Sequence, residues 1–211
     1  MSDEYLLRPM TIDDIGQVIT IERLSFSMPW SPLTYFYEIQ QNRSAYMAVI
    51  ELPDAPPIPP IMESSRFQIF PFRRRNQKPV GRLTAYGGMW VKHGEAHIST
   101  IAAHPDYRGQ RLGELMLYGL IQRGIECEAD HVMLEVRISN TVAQNLYHKY
   151  GFEKTGIRPM YYHDNNEDAY VMAVPTIDAD YRRKLDTYLT ALQQKVFFQD
   201  HFTGQNSFKE E

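Results

Sequence analysis

The spacing of apolar residues alternates between two periods along the chain. Apolar positions that recur every three or four residues predict amphipathic helices over residues 11–26, 31–41, 112–127, 140–150 and 178–198. Alternating or continuous apolar runs between them predict strands over residues 5–8, 44–51, 79–91, 95–103, 131–138, 152–158 and 168–174. Because strands and helices interleave, we expect an α/β or α+β fold with a mixed central sheet of about seven strands.

Local signals support several of the helix boundaries. Thr11 with Asp14 three residues later forms a capping pair, which predicts a helix start. Ser31 is a good N-cap, and the proline that follows it suits the first helical position. Asn140 is a plausible N-cap, and Gly151 is typical of the position just after a helix.

The domain organisation follows from one break in the pattern. Between residues 52 and 78 neither period is evident, prolines are concentrated, and the basic triplet Arg73–Arg75 occurs. We interpret residues 52–78 as a surface insertion into a single domain, residues 1–175, followed by a helical extension and tail, residues 176–211. The triplet is either solvated charge or a docking patch for a ribosome or another anion.

Composition places the protein among soluble intracellular chains. The 211 residues are 43% apolar and 23% charged, and the net charge of −4 gives no general reason to expect a nucleic-acid or membrane partner. The single cysteine, Cys127, excludes an intramolecular disulfide and fits a reducing, cytoplasmic location. No metal site is expected, because His97 and His104 have no partner at metal-ligand spacing. We interpret both histidines as structural or surface residues.

A loop with glycines and arginines joins the strand predicted at 95–103 to the helix predicted at 112–127. The first N–H groups of a helix are unpaired and carry partial positive charge, which suits a phosphate. Arg108 and Arg111 add formal charge, and glycines allow a ligand to approach the backbone. The loop therefore indicates an anion site, and from these residues alone a simple turn remains the alternative.

The strand predicted at 131–138 carries a carboxylate on its polar face. Leu134 and Val136 share one face, so Glu135 and Arg137 point to the other. The pair is either functional or a pair of neighbouring charges on a solvated face. Tyr147 lies at the edge of the apolar stripe of the following helix, where a core or boundary aromatic is the ordinary alternative.

The loop before the helix at 112 resembles the acetyl-CoA pyrophosphate loop of the GCN5-related N-acetyltransferases (GNAT), whose pattern is Gln/Arg-x-x-Gly-x-Gly/Ala. Arg108 and Gly113 match that pattern, whereas Arg111 replaces the usual glycine. The resemblance implies the GNAT fold, and contacts to acetyl-CoA from the strand and loop residues Ile101, Ala102, Ala103, Arg108, Gly109, Gln110, Arg111, Leu112 and Gly113.

The block from Leu134 to Phe152 resembles the RimI-type ribosomal-protein alanine N-acetyltransferases. That resemblance implies Glu135 as the general base and Tyr147, which also contacts acetyl-CoA, as the general acid. It further implies that Asn140 contacts the coenzyme. A carboxylate can deprotonate an α-ammonium, and a phenol can protonate the leaving thiolate.

Two further segments resemble the acceptor site of N-terminal acetyltransferases. Tyr161 and Tyr162, followed by Glu167-Asp168-Ala169, match a signature of the loop that binds the substrate peptide. Pro29 and Trp30 match the loop between the first two helices, which forms the other wall. Packing aromatics and a buried-tryptophan turn are the respective structural alternatives.

The resemblance as a whole implies transfer of an acetyl group from acetyl-CoA to the N-terminal α-amine of a protein, with a ribosomal protein as the expected acceptor. Direct transfer in a ternary complex is expected. A small-molecule amine or a lysine side chain remains an alternative acceptor, since a fold does not dictate its substrate. A non-catalytic acetyl-CoA sensor is the other alternative, against which the presence of Glu135 and Tyr147 argues.

Overall fold

The computed structural model describes residues 4–59 and 80–204. Within these ranges the strands form one mixed sheet, confirming the expected α/β architecture. The strands are β1 (Tyr5–Pro9), β2 (Ala45–Leu52), β3 (Arg82–Lys92), β4 (Glu95–Ala103), β5 (His131–Arg137), β6 (Glu153–Tyr162), β7 (Glu167–Val174) and β8 (Phe198–Asp200). Their order across the sheet is β6-β7-β5-β4-β3-β2-β1-β8.

The helices cover both faces of this sheet. They are α1 (Ile15–Ser25), α2 (Pro32–Gln40), α3 (Leu112–Glu126), α4 (Thr141–Lys149) and α5 (Ala179–Gln193). On the α1–α2 face, Val18, Ile21 and Tyr35 are buried against β2 and β3. On the other face α3 contributes most of the core, and α5 adds Tyr181, Leu185 and Leu192. Each fully buried aliphatic side chain stabilises the fold by about 1.5–3 kcal/mol.

The sheet has an opening between β4 and β5. The two strands are parallel and pair from Glu95–His131 to Ile98–Leu134, where the ladder between them ends. Beyond this point β4 continues to Ala103 and β5 to Arg137. Backbone groups that a paired strand would satisfy are therefore available at the opening to a ligand.

The C-terminal extension differs from the expectation. The predicted helix to residue 198 ends at Gln193, although Val196 continues the apolar period. The chain turns because the N–H groups of Lys195 and Val196 both bond to the carbonyl of Leu192. Strand β8 then pairs in parallel with β1. The sheet consequently gains an eighth strand, and the division of the chain at residue 175 stays a prediction.

The described residues on both sides of the segment 60–79 are attached to α1 through one buried side chain. The amide nitrogen of Gln17 donates to the carbonyl of Gly81 at 2.8 Å. Its amide oxygen accepts from the N–H groups of Ile58, at 2.8 Å, and Leu83, at 3.1 Å. The basic triplet at 73–75 lies outside the described residues.

Candidate active site

Glu135 lies on the α1–α2 face of β5, as the alternation with Leu134 and Val136 predicts. Its side chain is 5% exposed, and its Oε2 atom is 2.7 Å from Nε2 of His97. Oε1 lies 3.0 Å from Nη2 of Arg158, which is an ion-pair distance without the geometry of a hydrogen bond. The carboxylate is thus almost removed from water and is approached by two cationic or potentially cationic groups.

These neighbours decide the protonation state of Glu135. Burial acts to raise the pKa of the carboxyl, but the hydrogen bond and charge of His97, together with the charge of Arg158, outweigh it and lower the pKa below its usual value. Glu135 is therefore ionised at neutral pH. An ionised carboxylate in a half-buried cleft can accept a proton from an amine.

The prediction that His97 is a structural or surface residue is compatible with the structure, in which the ring contacts Glu135. In the β4–β5 ladder His97 pairs with Met133, two residues before Glu135 on the adjacent strand. Both side chains consequently point to the same face and meet diagonally. The signal that could have revealed the contact is the pairing of these strands, which spacing along the chain does not specify. His104 does have a structural role, since Nδ1 accepts from the N–H of Asp106 at 3.3 Å.

Tyr147 is positioned by α4, whose N-cap Asn140 accepts from the N–H of Ala143 at 3.1 Å. Its half-buried ring lies 5.8 Å, between centroids, from that of Phe152. Burial raises the pKa of the Tyr147 phenol, and the nearby Tyr162 raises it further. The phenol therefore stays protonated at neutral pH and can donate. Burial raises the pKa of Tyr162 as well, and the charge of Glu135 contributes.

The phosphate loop joins the open end of β4 to α3. Gly109 has φ of 80° and Arg111 has φ of 63°, so both adopt left-handed conformations. Arg111 is the N-cap of α3, and its guanidinium turns along the helix to Glu114 at 3.0 Å. The departure from the family glycine thus leaves the backbone in the conformation that glycine prefers. The N–H groups of the first turn, from Leu112 to Glu114, remain available for an anion.

The remaining residues predicted to bind the cofactor divide between β4 and the loop. Ala102 is buried in the α1–α2 core, whereas Ile101 packs against the opposite core. The Ala103 carbonyl accepts from Nε of Arg108 at 3.4 Å. The Gln110 side chain accepts from the Tyr5 hydroxyl at 2.6 Å. The side chain of Gln110 is therefore already bonded within the protein, and its backbone is the part that a ligand would meet.

A chain of three contacting rings connects the α1–α2 linker to the buried carboxylate of Glu135. Trp30 stacks on Trp90, with ring centroids 6.3 Å apart and planes inclined by 10°. The rings of Trp90 and His97 then form a T-shaped contact, with their centroids 5.5 Å apart. Pro29 precedes Trp30 in this linker and is exposed. The predicted wall at Trp30 is thus continuous with the His97–Glu135 pair.

The β6–β7 hairpin approaches Glu135 from the other side. The rings of Tyr161 and Tyr162 meet edge to face at 5.1 Å, and Tyr161 is 38% exposed. Burial raises the pKa of Tyr161, and the charge of Glu135 contributes. The guanidinium of Arg158, which is 3.0 Å from Oε1 of Glu135, lies 5.6 Å from the centroid of the Tyr161 ring and links the two side chains. Met160 has φ of 50°, and its N–H donates to Asp168 at 2.8 Å, which keeps the hairpin in an irregular conformation.

Within residues 4–59 and 80–204, no three or more His, Cys, Asp or Glu side chains are grouped so as to hold a metal ion. In the same part of the chain, none of the helices combines the length and apolar character needed to cross a membrane.

Comparison with known proteins decides the family. The model of the acetyltransferase (GNAT) family matches residues 16–152, which contain the phosphate loop, Glu135 and Tyr147. The chain belongs to the GNAT acetyltransferase family. It is accordingly an acetyl-CoA-dependent N-acetyltransferase, as the sequence motifs predict. The open end of β4 and the helix terminus after it suit the pantetheine and pyrophosphate groups of that cosubstrate.

Individual relatives of this GNAT acetyltransferase are named as N-acetyltransferases. A Bacillus subtilis (strain 168) protein named putative ribosomal protein bS18-alanine N-acetyltransferase is 35% identical over 82% of this chain and 97% of its own length. An N-alpha-acetyltransferase of Sulfurisphaera tokodaii is 33% identical over 82% of this chain and 93% of its own. The crystal structure of the Escherichia coli ribosomal-protein-S18-alanine N-acetyltransferase superposes with a TM-score of 0.63 at 26% identity, covering 83% of this chain and 96% of that one.

Proposed function

We propose that this GNAT acetyltransferase acetylates the N-terminal α-amine of a protein, with a ribosomal protein as the acceptor. The observation that carries the proposal is the position of the ionised Glu135 carboxylate between two aromatic segments. Trp30 and Trp90 approach it through His97, and Arg158 and Tyr161 approach it from the β6–β7 hairpin. The names of the relatives in Bacillus subtilis and Sulfurisphaera tokodaii support the same acceptor class.

The chemistry proceeds by direct attack in a ternary complex. Glu135, acting directly or through water, takes a proton from the acceptor's α-ammonium, and the neutral amine attacks the thioester carbonyl. The N–C bond forms and the C–S bond breaks, and Tyr147 gives its proton to the departing thiolate. The second proton that the nitrogen loses returns to Tyr147, and Glu135 releases the first to solvent. A backbone N–H at the open end of β4, within residues 101–103, stabilises the developing oxyanion. All groups that this scheme requires are side chains or backbone of the described residues.

Binding of acetyl-CoA uses the opening between β4 and β5 and the loop that follows β4. The N–H groups at the start of α3, with Arg108, contact the pyrophosphate, and Asn140 contacts the coenzyme beside α4. The acceptor lies on the α1–α2 face, between Pro29–Trp30 and Tyr161–Tyr162. The two substrates thus reach the opening from opposite faces of the sheet.

A peptide screen with mass-spectrometric detection tests the proposal. Peptides that differ only in their first residue are incubated with acetyl-CoA, and acetylation of the free α-amine is expected. A control peptide with a blocked N-terminus and an internal lysine should not react. Acetylation of the control, or of polyamines alone, would replace the N-terminal acceptor by one of the alternatives, and acetyl-CoA binding without any transfer would indicate a sensor.

The acceptor wall is tested separately with Tyr161→Ala. Because Tyr161 lies on the hairpin rather than on the phosphate loop, the peptide KM should rise more than the acetyl-CoA KM. Equal effects on both constants would show that the residue only supports the fold.

A further inference from the structure

Arg137, at the end of β5, is the centre of a polar network that the catalytic scheme does not use. Its Nη2 atom donates to both carboxylate oxygens of Asp164, at 2.8 Å each. Its Nη1 atom donates to Asn165 and Glu167, at 3.0 Å each. The guanidinium also lies over the ring of Tyr162, 3.9 Å from its centroid. One side chain, two positions after Glu135, therefore organises the whole β6–β7 turn.

The network continues across the acceptor cleft. The hydroxyl of Ser27, in the linker between α1 and α2, donates to Oδ2 of Asp164, although 137 positions separate the two residues. Ser27 precedes Trp30 in the linker, and Asp164 follows Tyr162 in the hairpin. The Ser27–Asp164 contact thus connects the two segments on which the proposed acceptor residues lie.

The contact depends on the charge of Arg137. Asp164 and Glu167 are two carboxylates on one short turn, and the same guanidinium neutralises both. Without it, repulsion between these carboxylates would favour conformations of the turn in which Asp164 is farther from Ser27. A lysine could supply charge, but its single nitrogen could not hold Asp164 and, at the same time, the Asn165 and Glu167 side chains that Nη1 of Arg137 holds.

We propose that Arg137 is a positioning residue for the acceptor, which acts through Asp164 and Ser27 to keep the α1–α2 linker and the β6–β7 turn connected. The inference rests on the proposed function for the identity of the acceptor. The physical basis of the positioning effect is pre-organisation of the acceptor site. Both segments are largely exposed, and ordering mobile segments on binding reduces affinity. A connection that exists before binding removes part of that cost for the acceptor peptide and none of it for acetyl-CoA.

Steady-state kinetics with three variants test the inference. Ser27→Ala removes the hydroxyl donor from an exposed position, so folding is not at risk. Arg137→Lys keeps the charge but removes the second nitrogen, which holds Asn165 and Glu167. Each should raise the acceptor KM by about tenfold, equivalent to ~1.4 kcal/mol, and leave the acetyl-CoA KM unchanged. Ser27→Thr keeps a hydroxyl and should restore the acceptor KM. Asp186→Asn on α5, which changes a carboxylate far from the network, is the matched control.

Hydrogen exchange gives a readout that does not depend on which amine is the substrate. In Arg137→Lys, exchange should become faster in the linker around Ser27 as well as in the turn at 163–166, and Asp186→Asn should change neither. Unchanged exchange in the linker, or equal increases in both KM values, would overturn the positioning role. If the wild type acetylates no N-terminal α-amine, the proposed function fails, while the exchange result still decides the inference.

Discussion

Nε2 of His97 lies 2.7 Å from Oε2 of Glu135, although the residues are 38 positions apart in the chain. The contact bridges β4 and β5 at the point where their pairing ends. A second such pair occurs at the other end of the ladder, where Nε2 of His131 lies 3.1 Å from Oε2 of Glu95. The second pair is more exposed and far from the opening, so it provides matched control variants for the first.

Replacing Glu135 with Gln keeps the shape of the side chain and removes the base. We expect kcat to fall by about 10²–10⁴-fold, with acetyl-CoA affinity little changed. The pKa of Glu135 is lowered, so the carboxylate is ionised throughout the neutral range and the acceptor amine, with a pKa of about 8, is the group that titrates there. The loss should therefore shrink between pH 7 and pH 9. Glu95→Gln is the control, and wild-type turnover by Glu135→Gln at neutral pH would refute the role.

His97→Asn tests the contribution of the imidazole to the state of Glu135. The hydrogen bond and charge of His97 lower the pKa of Glu135 against the effect of burial. Removing the ring should raise that pKa, so the lower step of the acidic limb of the kcat/KM profile, below the titration of the acceptor amine, should move to higher pH. His131→Asn should leave the limb in place. An unshifted limb in His97→Asn would show that the ring does not act on the carboxylate.

Tyr147→Phe removes only the phenolic hydroxyl and keeps the ring that contacts Phe152. We expect kcat to fall while the peptide KM is unchanged, because protonation of the leaving thiolate is lost and acceptor contacts are not. Since burial raises the pKa of Tyr147, the wild type should show no loss of activity from phenol ionisation up to pH 9. A core role alone predicts the opposite pattern, with a lower melting temperature and nearly intact kcat.

Substitutions of Arg111 test whether the phosphate loop binds acetyl-CoA through its backbone N–H groups or through the Arg111 side chain. At φ of 63° an L-residue is strained by about 1 kcal/mol or more, and Arg111→Gly removes that strain. Calorimetry should show acetyl-CoA affinity that is retained or improved in Arg111→Gly. Arg111→Ala is the control, because it removes the charge and keeps the strain. A loss greater than tenfold in both variants would mean that the guanidinium itself binds phosphate.

Removing the 3′-phospho-ADP part of acetyl-CoA tests the loop from the ligand side. The truncated thioester should bind more weakly than acetyl-CoA, since it lacks the charge that the start of α3 and Arg108 would neutralise. Equal affinities in calorimetry would place the main binding energy in the opening between β4 and β5 instead.

Glu167 makes folding stability depend on pH. Hydrogen bonds from Ser139, followed by those from Arg137 and Asn165, lower the pKa of Glu167 to about 2 against a usual value of 4.5. A carboxyl whose pKa is depressed in the folded state contributes stability above its unfolded pKa and loses it as pH falls toward the folded value. The melting temperature should therefore decrease from pH 5 to pH 3, and less so in Glu167→Gln. Parallel curves for both proteins would contradict the assignment.

Local patterns in the sequence determined a large part of this structure. Capping pairs, the period of apolar residues and Gly151 predict most helix and strand boundaries, because these depend on neighbours within one or two turns. The period of two likewise predicts that Glu135 points away from Leu134 and Val136. The loop motif with Arg108 and Gly113 predicts the acetyl-CoA-dependent activity that the family match confirms. In each case the relevant residues are close together in the chain.

Contacts between distant segments were decided only by the tertiary structure. The His97–Glu135 pair depends on which strands are adjacent and in which register. The Ser27–Asp164 contact depends on where a linker and a turn meet above the sheet. Strand β8 forms because β1 offers an unpaired edge to the extension. The spacing of apolar residues around Val196 does not predict that edge. Register and adjacency result from the packing of the whole core, so spacing along the chain cannot specify them.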